Sequence, residues 1–152
     1  MIRGIHHVAI STPDIDRLLG FYRDLLGMQE VMRFDWDQGS EDIDQALGLK
    51  HSAARQVMIK AENLCIELFE FKNPTPSTMN PNRPVCDHGH THICFDVQDI
   101  FSVYNKMVAA GVRFHAPPKD YGHLKFTYGR DPDGNVFELQ ELTTANDPTR
   151  VL

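Results

Sequence analysis

No CxxC pair occurs among the three cysteines, Cys65, Cys86 and Cys94, so neither a cysteine-based zinc site nor a disulfide framework is expected. An odd number of unpaired thiols suits a reducing compartment, and a cytoplasmic location is expected. No apolar run approaches the roughly 20 residues that cross a bilayer, and the first residues lack a basic-then-apolar export pattern. Membrane association is therefore not expected. Basic residues are in the minority: 15 Lys and Arg face 21 Asp and Glu, a net charge of −6, which argues against nucleic acid as a partner. What remains is ordinary for a globular chain. A hydrophobic share of 41% over 152 residues supplies a core for one domain or for two small fused halves.

The punctuation is legible. Ile5 to Ser11 alternates as a strand, and Thr12-Pro13 offers an N-cap followed by proline at the first helical position. Ile15, Leu18, Leu19, Tyr22, Leu25 and Leu26 keep a helical period closed by Gly27. Strands are expected at 29–36, 57–60 and 64–71, with a short helix near 43–47. Residues 73–90 carry Pro74, Pro76, Pro81 and Pro84 with little apolar pattern and read as a linker. A strand at 91–97, a helix at 99–110 closed by Gly111, and strands at 112–115 and 124–128 follow. The turn Asp131-Pro132-Asp133-Gly134 then opens a last strand through Glu141. The expected organisation is thus an N-terminal module at 1–72, the linker at 73–90, a C-terminal module at 91–142 and a tail at 143–152.

The two modules repeat each other. His7-Val8-Ala9-Ile10 matches His92-Ile93-Cys94-Phe95, an Asp-Ile pair follows seven residues later in both, and each helix closes on a glycine. Related strands end both halves: Ile66-Glu67-Leu68-Phe69-Glu70 and Phe137-Glu138-Leu139-Gln140-Glu141. The fold class read from this pattern is α+β, with two tandem βαβββ modules.

Strand alternation sorts the side chains. One face carries Val8, Ile10, Ile66, Leu68, Ile93, Phe95, Phe137 and Leu139, all apolar. The other carries His7, Glu67, His92 and Glu138. Taken singly, each is an ordinary core histidine or edge carboxylate. Four at repeat-related positions are a metal set. Two imidazoles and two carboxylates suit one borderline divalent ion: zinc, nickel, cobalt or manganese, with iron(II) ranked behind them.

These residues also carry a family resemblance. His7-Val8-Ala9-Ile10, Phe21-Tyr22…Leu26-Gly27, His92-Ile93-Cys94-Phe95 and Asp131-Pro132-Asp133-Gly134-Asn135…Glu138-Leu139 resemble the vicinal oxygen chelate superfamily. That group includes glyoxalase I, methylmalonyl-CoA epimerase, extradiol dioxygenases and bleomycin or fosfomycin resistance proteins. The resemblance implies a cupped mixed β-sheet built by the paired modules, with metal ligands His7, Glu67, His92 and Glu138. The ligand set resembles bacterial glyoxalase I most closely, whereas the epimerases usually have glutamine where this chain has Glu67. It further implies a glutamate base, Glu138 first and Glu67 second. Both single-chain and dimer-shared metal pockets occur in the superfamily; a homodimer is expected.

Four protein ligands on a six-coordinate ion leave two positions, enough for a small-molecule substrate with adjacent oxygens. The function expected is a divalent-metal-dependent isomerase or lyase that stabilises an enediolate. An iron(II) dioxygenase and a non-catalytic binding protein of the resistance type are the alternatives. Phe34, Trp36, Phe69, Phe71, Phe126 and Tyr128 are candidates to line an apolar pocket, and Arg55, Lys125 and Arg130 to hold an anionic group. Glu41 and Asp42 are a further source of the base. His6 is expected to point away from His7, and His90 is a candidate neighbour of His92.

Overall fold

The computed structural model describes residues 1–151; Leu152, the end of the expected tail, lies outside the described residues. The chain divides into two compact units, Met1–Thr78 and Met79–Leu152. In the first, β1 (His7–Ser11), α1 (Ile15–Leu19), β2 (Gln29–Trp36), α2 (Glu41–Leu47), β3 (Ala53–Lys60) and β4 (Cys65–Asn73) follow one another. Their sheet has the order β1-β4-β3-β2, with β1 parallel to β4 and the other pairs antiparallel. The mixed sheet follows from the α1 crossover, since a helix between strands permits parallel pairing.

The second unit holds β5 (Ile93–Asp96), α3 (Ile100–Ala109), β6 (Arg113–Phe114), β7 (Lys119–Asp120), β8 (Leu124–Arg130) and β9 (Val136–Leu142). Its order is β5-β9-β8-β6, with β7 paired on β8 and only the β5–β9 pair parallel. The α+β class with mixed sheets and few helices is what the repeat called for.

Helices α1 and α3 each pack on the apolar face of their own sheet, whereas α2 lies over the opposite face of the first sheet. Ile15, Leu18, Leu19, Ile66 and Leu68 are almost wholly buried in the first unit, and Ile100, Met107, Phe137 and Leu139 in the second. The helix starts are tied down by a device that the repeat doubles. The first backbone N–H of α1, at Ile15, donates to Glu70 Oε2 at 2.9 Å, and that of α3, at Ile100, donates to Glu141 Oε2 at 3.1 Å. Carboxylates there satisfy unpaired amides and oppose the positive end of the helix dipole. Arg55 and Lys125, opposite them in register, hold the same two glutamates at 3.2 Å.

Several boundaries differ from expectation. The N-cap of the first helix is Asp14, whose side chain accepts from Arg17 N. Thr12 accepts from Asp14 N instead and sits two residues earlier. The helix does not run as α to Leu26: Gly20–Leu25 is wound as π-helix, with Leu26 N donating to Phe21 O. The wider turn buries both Phe21 and Tyr22 and sets their rings edge to face at 4.9 Å. β3 starts four residues before the expected 57, β6 is only two residues long, and β7 was not expected. His92 lies just ahead of β5 rather than inside it. In the stretch beyond β9, Arg150 donates to Leu142 O at 2.8 Å and to Thr144 O at 3.3 Å.

The turn into β9 is held by several hydrogen bonds to one side chain. Asp131, 3% exposed, accepts through Oδ1 from Asp133 N and Asn135 N, both at 2.9 Å, and through Oδ2 from Asn135 Nδ2 at 2.8 Å. Gly134 closes it with φ near +93°, where a Cβ would run into the Pro81 backbone. This turn sets where Glu138 falls along the strand.

Candidate metal centre

Register places the expected ligands on one face within each unit. His7 pairs with Cys65 and Ala9 with Glu67 across the parallel β1–β4 ladder, so His7 and Glu67 project to the same side. The pairs Met58–Glu67, Gln56–Phe69, Phe34–Gln56 and Trp36–Ala54 extend that face across β3 and β2. In the second unit Cys94 pairs with Glu138 and Tyr128 lies opposite Glu138. Ala9 and Cys94, and likewise Met58 and Tyr128, are therefore repeat-related neighbours of the two glutamates.

The side chains meet in two pairs. His7 Nε2 stands 3.4 Å from Glu67 Oε2, and His92 Nε2 stands 3.0 Å from Glu138 Oε2. Both glutamate side chains are only 13% exposed, against 40% for His7 and 28% for His92. Each carboxylate is thus set back and each imidazole faces the opening. Among the described residues no group of three or more histidine, cysteine, aspartate or glutamate side chains forms a metal cluster. The structure brings the expected ligands together as His–Glu pairs, one per unit.

The pairs fit a divalent ion. Two ligand atoms each about 2.1 Å from one ion lie about 3.0 Å apart at a right angle and about 3.4 Å at the tetrahedral angle. Both observed separations fall there. The second nitrogen of each ring is also engaged, as metal-binding histidines require. His92 Nδ1 shares a 2.8 Å hydrogen bond with Thr91 Oγ1. His7 Nδ1 shares one of 2.9 Å with His6 Nδ1. His6 therefore does not point away from His7. It precedes β1, so strand alternation does not govern it.

The carboxylates are supported too. Gln56 Nε2 donates a short hydrogen bond to Glu67 Oε1. Glu138 is hydrogen-bonded by the Tyr128 hydroxyl and the Cys94 thiol. Crowding by surrounding protein, followed by the charge of Glu138, pushes the Cys94 thiol up to about 12 and raises Tyr128 above the ordinary phenol. Both therefore stay protonated near neutral pH and donate to Glu138. The His92 and Tyr128 rings meet edge to face at 5.1 Å. Gln56 carried no signal in the sequence, because its role rests on a cross-strand register set by the β3 start. Tyr128 was read from the sequence as a pocket aromatic and not as a partner of Glu138, and Cys94 shares its face by alternation alone.

Other candidates have other roles. Arg55 holds Asp16 and Glu70, Lys125 holds Glu141, and Arg130 donates to the carbonyls of Pro81, Arg83 and Gly134. These three cations stabilise the fold where anion binding had been considered. His115 stacks on Tyr128 with ring centroids 6.5 Å apart; burial and then Arg130 and Arg113 keep it below the ordinary histidine range. His90 contributes its carbonyl to Arg83. Glu41 and Asp42 open α2, and Asp42 reaches an apolar cavity on the ligand face, together with Phe34, Trp36 and Phe69.

Against known proteins, residues 4–139 match the model of the Glyoxalase/Bleomycin resistance protein/Dioxygenase superfamily. A mitochondrial methylmalonyl-CoA epimerase of Dictyostelium discoideum is 27% identical, covering 92% of this chain and 79% of its own length. A lactoylglutathione lyase of Pseudomonas aeruginosa is 24% identical, over 91% and 82%. A crystal structure of a glyoxalase family protein from Bacillus cereus shares the fold at a TM-score of 0.86 and 20% identity, covering 95% of this chain and 97% of that one.

Proposed function

The chain belongs to the Glyoxalase/Bleomycin resistance protein/Dioxygenase superfamily, and on that premise we propose that it is a divalent-metal-dependent isomerase or lyase. Its substrate is a small molecule with two adjacent oxygens, and its working form is a homodimer. His7, Glu67, His92 and Glu138 hold one ion, with zinc, nickel, cobalt or manganese ahead of iron(II). The observation that carries this reading is the pair of repeat-related His–Glu contacts at 3.4 and 3.0 Å. Relatives named as an epimerase and as a lyase support the reaction class.

When bound, the ion supplies Lewis-acid stabilisation of the negative charge that develops on the substrate oxygens as a neighbouring carbon loses its proton. The protein supplies the rest. The Glu138 carboxylate removes the proton and returns it to the adjacent carbon, while Tyr128 and Cys94, both protonated, orient it by donating hydrogen bonds. Glu67, held by Gln56, is the second candidate for the base.

The test is solvent exchange. The metal-loaded protein in D2O, given small hydroxyketones and 2-oxoaldehyde adducts, should exchange the carbon-bound proton beside the carbonyl, as read by proton NMR. Glu138→Gln should abolish exchange. Substantial exchange in that variant with metal still bound would remove Glu138 as the base.

A further inference from the structure

The ligand face of the first unit carries a cavity of about 310 Å³, lined by Phe34, Trp36, Phe69, Ile43, Ala46 and Leu47, with Gln56 and Asp42 as its polar members. Three aromatic walls come from the sheet. Phe34 and Trp36 stack at 6.0 Å, and Phe69 meets Trp36 edge to face at 6.1 Å. The aliphatic wall is α2, none of whose residues is itself buried.

That helix is held by polar contacts. Asp44 accepts from His51 N at 2.7 Å, from Ser52 N at 2.8 Å and from the Ser52 hydroxyl, while Trp36 Nε1 donates to Ser52 Oγ at 3.0 Å. One network thus fixes both the indole plane and the helix across from it. The space between them is a groove open to solvent on one side, where Phe34 is 48% and Leu47 41% exposed.

The cavity adjoins the proposed ion site through one side chain, since Gln56 lines it and donates to Glu67 Oε1. Resting on the metal reading above, we infer that the cavity receives the group attached beside the substrate's two oxygens, and that this group is an uncharged aromatic or branched alkyl. Size agrees: a cavity of about 150 Å³ already admits benzene, so a substituted ring fits. Charge agrees as well. No lysine or arginine lines the cavity, its one charged side chain is Asp42, and Glu41 and Asp44 stand on the same helix. A carboxylate or phosphate seated there would meet apolar walls and Asp42 and no cation, which is unfavourable.

Trp36 is the only tryptophan, so its fluorescence reports occupancy directly. Zinc-loaded and zinc-free protein are titrated with benzohydroxamate, acetohydroxamate and 4-carboxybenzohydroxamate, chelators with adjacent oxygens that differ only in the attached group. The expected result is benzohydroxamate binding at least about tenfold tighter than the other two, with a change in Trp36 emission. Ala46→Phe, which fills the cavity, should erase that preference and leave acetohydroxamate binding to zinc unchanged. Equal affinities for all three chelators would overturn the inference, as would an undiminished preference in Ala46→Phe. If zinc changes no affinity while benzohydroxamate still binds and Ala46→Phe abolishes it, the cavity assignment stands and the metal reading fails.

Discussion

At the scale of single residues, the buried Asp131 and the neighbours of Glu138 carry most of the testable content. Asp131→Ala removes an acceptor of three hydrogen bonds from the turn that positions β9. It should lower stability by about 2–3 kcal/mol, measured by urea unfolding. Tyr128→Phe keeps the ring that packs on His92 and deletes the hydroxyl that holds Glu138. Zinc affinity, measured by chelator competition, should fall about 10–100-fold, with the melting temperature little changed. The four proposed ligands stood out in the sequence because a histidine and a glutamate recur at matching places in the two halves, and the structure pairs them as His7–Glu67 and His92–Glu138. Gln56 did not stand out: β3 begins at Ala53, ahead of the apolar run, and only the completed register sets Gln56 opposite Phe69 and beside Glu67. His6 was misread because alternation was extended past the start of β1.

At the scale of elements, the second glutamate of each closing strand proves to be a helix anchor. Glu141 is held below the ordinary carboxylate value, chiefly by the Ile100 N–H and then by Lys125. A depressed folded value means that this stabilisation is complete above the unfolded carboxylate range and is lost as pH falls from there through the lower folded value. Glu141→Gln should therefore reduce stability at pH 7 and flatten the loss of stability below about pH 5, in thermal melts across pH. An unchanged acid limb would show that Glu141 is not a contributor. Helices and long strands were readable from period and caps. The π-helical turn was not, because Leu18, Tyr22 and Leu25 fit an α-helix until the burial of adjacent Phe21 and Tyr22 is weighed. β7 escaped as well: two residues, Lys119 and Asp120, show no alternation, and they pair only because β8 extends past them.

At the scale of the whole molecule, the doubled pattern is the fact to be explained. His7 and His92, Glu67 and Glu138, Glu70 and Glu141, and Asp14 and Asp99 recur at equivalent places in two sheets of like order. Glu70, Glu141, Asp14 and Asp99 serve the fold by holding helix starts. The His–Glu pairs hold no helix start, and the ligand role proposed above is the reading we give them. Sedimentation velocity of the purified protein should give a mass of two chains, as the proposed homodimer requires. The most direct test of the central claim is elemental analysis of protein purified without chelator or affinity-tag nickel, beside His7→Ala, Glu67→Ala, His92→Ala and Glu138→Ala. The expected result is one divalent ion per chain, reduced in each variant, with circular dichroism unchanged. Metal content unaffected in both histidine variants, or no metal bound even after reconstitution, would contradict it.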